Sequence, residues 1–211
     1  MGFPLGSARL WWALSYYGHD RVRVLDGGLR QWQHEQRPIA TDVPVVQPAE
    51  FVPNRRLDWI AAKGDVVAAL GRTDTVIVDC LTPELYRGSG DRNPWGQRPG
   101  HIPGAVNVPY PANIDPRLAA LTAAECLLVS SRSFTFASAR ELAALFESAG
   151  VTADSEVITY CGRGYAAACG LLALKLLGHE KARLYDGSWA EWSADLTLPV
   201  EVSQDVNPPR N

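Results

Sequence analysis

Cysteine is scarce in this chain: four residues among 211, at positions 80, 126, 161 and 169, with no C-x-x-C pair. That excludes a disulfide framework and makes a zinc ribbon untenable. It suits a reducing compartment, so a cytoplasmic location is expected. An excess of one charge is also missing. Twenty Lys and Arg stand against 23 Asp and Glu, for a formal charge of −3. A dedicated nucleic-acid or anionic-membrane binder would show a basic face, so neither partner is expected. A balanced total can still hide a local basic pocket. No apolar run approaches the roughly 20 residues that span a bilayer. Residues 10–18, preceded by Arg9, imitate a signal peptide, but the run is short, holds two tyrosines and has no small-x-small cleavage pattern after it. Position 6 is Gly, where myristoylation wants Ser or Thr. The segment reads as a buried helix.

What is present is an internal repeat. Residues 13–32, ALSYYGHDRVRVLDGGLRQW, match residues 173–192, ALKLLGHEKARLYDGSWAEW, without a gap. Eight of the twenty positions are identical, among them Gly18/Gly178, His19/His179, Arg23/Arg183, Asp26/Asp186 and Trp32/Trp192. The physical reading is an apolar helix capped by glycine, a short strand, an Asp-Gly turn and a short helix bearing tryptophan. The second copy follows a domain's length of sequence, and the first follows almost none. The expectation is therefore the tail of one domain at residues 1–39, a linker at 40–65 and a complete domain at 66–203. The four prolines of residues 37–53 support the linker.

Beyond the linker the pattern is α/β. A mostly helical segment at 57–70 precedes the β-branched run Thr75–Asp79, and residues 105–108 form a second strand. Phe136, Ala139, Leu142, Ala143 and Phe146 share one helical face, ended by Gly150. Strands at 157–160 and 184–185 flank an apolar helix at 166–177. Strands alternating with helices imply a parallel sheet covered on both faces. At a strand's carboxyl end stands Cys161-Gly162-Arg163-Gly164-Tyr165-Ala166. Ligands of open α/β sheets bind at such ends. The two glycines let successive N–H groups turn toward one centre, and the following helix adds its positive end. With Arg163, these features are expected to lower the Cys161 pKa and favour the thiolate.

The segment Gly100-His101-Ile102-Pro103-Gly104-Ala105, the strand ending at Asp79, the Cys161 loop and the repeated Gly-His…Asp-Gly…Trp ending together resemble the rhodanese family. The repeat is similar to that of the tandem-domain thiosulfate and 3-mercaptopyruvate sulfurtransferases, with the first domain truncated. The resemblance implies a rhodanese-like parallel sheet with helices on both faces, plus a helix-strand-helix remnant of a preceding repeat. It also implies that Cys161 is the catalytic residue and receives sulfur as a persulfide, with Gly162, Arg163, Gly164, Tyr165 and Ala166 forming the substrate loop. The partners it implies are a small anionic sulfur donor and a cyanide or thiol acceptor, with no cofactor or metal.

Arg163 stands where thiosulfate-using members often carry a cation. Mercaptopyruvate-using members usually read Cys-Gly-Ser/Thr-Gly-Val, and this loop mixes the two patterns, with Arg163 favouring thiosulfate. The family's arginine shortly after the Asp79 strand is not at position 81. Arg87 is the candidate to hold the donor's anionic end, with Arg98 second. The alternatives are a 3-mercaptopyruvate sulfurtransferase or a non-catalytic sulfur-binding or interaction module. A dual-specificity-type phosphatase would need an arginine six positions after the cysteine, where Ala167 stands. His19, His179 and His101 are expected to organise turns, Cys80, Cys126 and Cys169 to pack in the core, and Trp95 either to lid the pocket or to pack locally.

Overall fold

The computed structural model describes residues 4–88, 94–96, 98–129 and 134–203. Among the described residues a single sheet runs β1 (Ile60–Ala61), β5 (Ala182–Tyr185), β4 (Glu156–Tyr160), β2 (Thr75–Asp79) and β3 (Val106–Asn107), in that spatial order and parallel at every pair. Parallel strands require crossovers, and the sequence supplies helices for them: α3 (Lys63–Ala69), α4 (Pro83–Arg87), α5 (Ala123–Val129), α6 (Ala139–Ser148) and α7 (Tyr165–Leu176). Helices α1 (Leu5–Tyr16) and α2 (Gly28–His34) precede the sheet, and α8 (Ser188–Ala194) follows it.

The central strands β2 and β4 are buried through most of their length, which matches their continuous Val/Ile/Thr composition. One apolar cluster joins Ala8 and Trp12 of α1, Leu142 and Phe146 of α6 and the buried side of α7 to one side of the sheet. A second joins Val66 and Ala69 of α3 with Trp189 and Trp192 of α8 and Ile77, Ile158 and Tyr185. The sheet is thus covered by helices on both faces. Helix α6 starts with a reciprocal capping box between Ser138 and Glu141 and ends before Gly150, whose φ of 83° only glycine adopts cheaply.

Two local readings change. Within the mostly helical segment at 57–70, Ile60–Ala61 pairs with β5 as an edge strand, because register with Leu184 and Tyr185 outweighs helical propensity. In the first copy of the repeat, residues 22–25 form no ladder with any described strand, because a strand needs a neighbour and only β5, its counterpart, has one. The first copy is held to the rest by α1 against α7. The Trp12 indole also donates to the Trp59 carbonyl (3.1 Å), and Asp26 accepts the Phe136 N–H (2.8 Å). Among the described residues no helix is long and apolar enough to cross a membrane.

Candidate active site

The register of β2 against β4 pairs Asp79 with Tyr160, so both strands end side by side and Cys161 is the first residue beyond. The Cys80 N–H donates to the Tyr160 carbonyl (2.8 Å), extending the ladder to the loop's edge. Cys161 is only 2% exposed. Gly164 has φ 81° and caps α7 at its N-terminus.

The loop's carbonyls are drawn outward by α8. The N–H groups of Trp189 and Ala190 donate to the carbonyls of Cys161 (2.8 Å) and Gly162 (3.1 Å). The Cys161 N–H donates to Ser188 Oγ (3.2 Å), and that hydroxyl donates to the Tyr185 carbonyl (2.9 Å). With these groups satisfied on the outside, the backbone N–H groups of Ala167, Arg163 and Ala166 favour the sulfur's anion. Burial works against them and is the stronger effect, so the Cys161 thiol lies above its ordinary value, and nearby Asp79 adds to the rise. The expected lowering of the thiol pKa is therefore corrected: glycine spacing identifies donors, but only packing shows how dry the sulfur is.

Ser188 is a residue that sequence reasoning missed. It is fully buried and adopts φ 53°, a conformation that costs a non-glycine residue about 1 kcal/mol or more. Its counterpart in the first copy of the repeat is Gly28, with φ 60°. A turn built for glycine carries a serine in the copy where a hydroxyl is needed to anchor Cys161, and this glycine-to-serine change in the aligned repeat was the available signal.

Gly162 is covered by Trp95: a side chain at position 162 would collide with the indole, so glycine is required by close approach. The Arg163 guanidinium lies 5.8 Å from the Trp95 ring centroid. Arg163 and Tyr165 are exposed, whereas Gly162, Gly164 and Ala166 are buried. The Gly100–Ala105 segment is pinned to the same strand end. Tyr160 Oη accepts the Ile102 N–H (3.1 Å), and His101 exchanges backbone hydrogen bonds with Glu201. The His101 ring stacks on Tyr86 at 3.8 Å with Nδ1 2.7 Å from the Tyr86 carbonyl, and burial lowers its pKa.

Asp79 is buried beside this loop. Its Oδ1 accepts the Leu81 N–H (2.7 Å), while Oδ2 has no partner of hydrogen-bonding geometry among the described residues. Burial pushes the carboxyl up to about 7, opposed by the neighbouring Tyr160 hydroxyl and the Leu81 N–H.

The two candidate arginines part company. Arg87 is exposed in the last turn of α4, next to Tyr86, whose hydroxyl donates to the Ala105 carbonyl (2.7 Å). Arg98 instead donates to four backbone carbonyls, those of Ser193 (3.0 Å), Leu198 (2.9 Å), Trp192 (3.2 Å) and Asp195 (2.8 Å). A guanidinium so engaged serves the end of α8 and the segment after it. We expect Arg98→Met to destabilise the fold by about 2–4 kcal/mol, since several carbonyls lose a charged donor together. An unchanged urea midpoint would show that these bonds hold nothing.

A parallel sheet with a cysteine loop at the end of its central strand, backed by a helix N-terminus and closed by the Gly-His-Ile-Pro-Gly segment, defines a rhodanese-like domain. The chain belongs to that family, whose Rhodanese-like domain matches residues 63–195. It is 32% identical over 209 residues to the sulfur carrier protein TtuD of Thermus thermophilus, covering 94% of this chain and 68% of that one. It is 32% identical over 200 residues to the 3-mercaptopyruvate sulfurtransferase of Escherichia coli K12 (95% and 65%). It is 30% identical over 196 residues to the thiosulfate sulfurtransferase of Azotobacter vinelandii (93% and 65%). The chain therefore spans about two thirds of the length of these relatives. Wild-type EanB has the same fold, with a TM-score of 0.79 at 23% identity, covering 95% of this chain and 45% of that one.

Proposed function

We propose that the chain is a sulfurtransferase that moves a sulfane sulfur from thiosulfate to cyanide or a thiol through a persulfide on Cys161. The observation that carries this reading is a single buried cysteine at the end of β4, on a loop whose carbonyls are bonded outward by α8 and which leads into the N-terminus of α7. Of the three relatives named above, two carry sulfurtransferase names and one the name of a sulfur carrier, which supports sulfur as the cargo.

The chemistry follows from the charges. Cys161 loses its proton to solvent, and the thiolate attacks the outer sulfur of thiosulfate. A sulfur–sulfur bond forms, the donor's own sulfur–sulfur bond breaks, and sulfite leaves with the bonding pair. The persulfide's outer sulfur is then attacked by cyanide, giving thiocyanate and returning the thiolate. Every species is an anion, so fixed N–H donors and a nearby guanidinium stabilise the whole cycle. The four free thiols suit a reducing, cytoplasmic setting. We place the catalytic domain at residues 66–203, with residues 40–65 as a linker whose end, Ile60–Ala61, adds an edge strand to the sheet, and 1–39 as the end of a preceding repeat, and we assign the donor's anionic end to Arg163 and Arg87.

The test is to add thiosulfate to the purified chain and measure intact mass. A gain of about 32 Da on Cys161, lost on adding cyanide with release of thiocyanate, is expected from this group-transfer chemistry. No mass gain with either thiosulfate or 3-mercaptopyruvate would defeat the proposal. Donor choice is read separately. Arg163→Gly is expected to lower kcat/KM for thiosulfate by about tenfold and to change 3-mercaptopyruvate use little, because a dianion gains more from one exposed guanidinium. Equal losses on both donors would remove the case for thiosulfate.

A further inference from the structure

Arg9 lies on α1, far from Cys161 in sequence, yet its guanidinium rests on the Cys161 loop. A side-chain carbon built on Gly164 would stand 2.5 Å from Arg9 Nη1 and 2.7 Å from Asp186 Oδ1. The two side chains therefore occupy the space that a larger residue at 164 would need. Arg9 Nη1 and Asp186 Oδ1 are 2.6 Å apart, and Nη1 is buried with no hydrogen bond of good alignment among the described residues. The guanidinium is also stacked 4.4 Å from the Trp12 ring centroid and 5.7 Å from that of Tyr165, the residue after Gly164.

Global stability does not account for this arrangement. The side chains are 24% and 41% exposed, and an ion pair screened by solvent in that setting adds little to stability. Attachment of α1 to α7 rests on Ala8 and Trp12, both buried in the main apolar cluster. The repeat does not account for it either. Extending its register places Arg9 opposite Cys169, a buried residue of α7, so the cation is specific to the first copy. Asp186, in contrast, recurs as Asp26, and in both copies the aspartate of the Asp-Gly turn reaches across to the other part of the chain: Asp26 to the Phe136 N–H and Asp186 to Arg9.

We propose that Arg9 is a positioning residue of the Cys161 loop, holding Gly164 with Asp186 so that the loop's N–H groups stay converged on the sulfur during sulfur uptake. The effect passes through Gly164. That residue is the pivot between the loop and α7, its left-handed backbone has no side chain to fix it, and Arg9 with Asp186 closes the open side. This assignment rests on Cys161 as the sulfur-accepting residue.

The test compares Arg9→Met, Arg9→Lys and Asp186→Asn in single-turnover sulfur uptake, followed by intact mass over a range of thiosulfate concentrations. Arg9→Met and Asp186→Asn are each expected to lower the maximal uptake rate by about tenfold, because small displacements of pre-organised groups cost rate steeply. Half-saturation should stay within about threefold, since the loop rather than the donor's binding contacts is disturbed, and Arg9→Lys should recover most of the rate. Maximal rates equal to wild type in Arg9→Met, or a lysine variant no faster than the methionine one, would overturn the proposal. Should Arg9→Met fail to fold, Asp186→Asn decides in the same terms. Alkylation of Cys161 by iodoacetamide reads the loop without any sulfur donor, and Arg9→Met should slow it. A wild-type chain that takes no sulfur would defeat the function alone, and an alkylation rate indifferent to Arg9→Met would defeat the positioning role alone.

Discussion

Cys161→Ser is expected to abolish thiocyanate formation, with a loss of at least roughly a thousandfold, while leaving the fold within about 1 kcal/mol of wild type. The asymmetry follows from the site. Oxygen is close to sulfur in shape, and the backbone N–H groups that favour the thiolate can donate to a hydroxyl, so the buried position remains filled. The chemistry does not survive the exchange. A serine hydroxyl holds its proton far more tightly than a thiol, and an oxygen cannot form the sulfur–sulfur bond that stores the transferred atom. The measurements are thiocyanate release with thiosulfate and cyanide, the mass gain after thiosulfate, and the urea midpoint. A serine variant that still turns over would mean that another group accepts the sulfur. The other three thiols are available for that comparison, because Cys80, Cys126 and Cys169 are also unpaired and buried.

The second large effect concerns stability and pH. Asp79 is fully buried, and burial raises its carboxyl from an ordinary value near 3.8 to about 7. A folded pKa above the unfolded one means that the native state binds the proton more tightly. The associated stability is present below about pH 4 and is lost as pH rises toward 7. Over that interval the loss is up to about 4 kcal/mol, from 1.36 kcal/mol for each pH unit between the two values. Asp79→Asn carries no titrating proton, so it should flatten this part of the profile and exceed wild type in relative stability at pH 8. Urea midpoints for both chains from pH 4 to pH 8 measure it, and parallel profiles would show that Asp79 does not titrate in this range. Because the Asp79 charge also raises the Cys161 thiol, the same substitution should bring forward, to lower pH, the rise of Cys161 alkylation rate with pH.

Features governed by short stretches of chain were legible in the sequence. The β-branched run Thr75–Asp79 is β2 with the bounds read from its composition, and the strand before Cys161 differs by one residue. The capped helix ending before Gly150 and the apolar helix after the loop follow from helical period and glycine punctuation. The parallel sheet followed from the alternation of elements, since each strand must be rejoined through a crossover. Cys161 was legible for the same reason, because a strand, a Gly-x-Gly loop and a helix in sequence form one local unit.

Three properties of that unit were decided only by tertiary structure. Ser188 reaches the Cys161 N–H because β5 lies beside β4, and no pattern around position 188 specifies that neighbour. Arg98, a sound candidate for an anion ligand by charge and place, is engaged by four carbonyls supplied from beyond α8. Arg9 arrives from the first repeat, over a glycine whose empty side is visible only once α1 is packed on α7. Glycine placement, strand composition and helical period act through near neighbours in the chain, so the sequence by itself determined the fold class, the loop and its sulfur. The thiol's ionisation, the partner of each arginine and the strain at Ser188 depend on which distant segments exclude water from one another, and that is a property of the packed molecule.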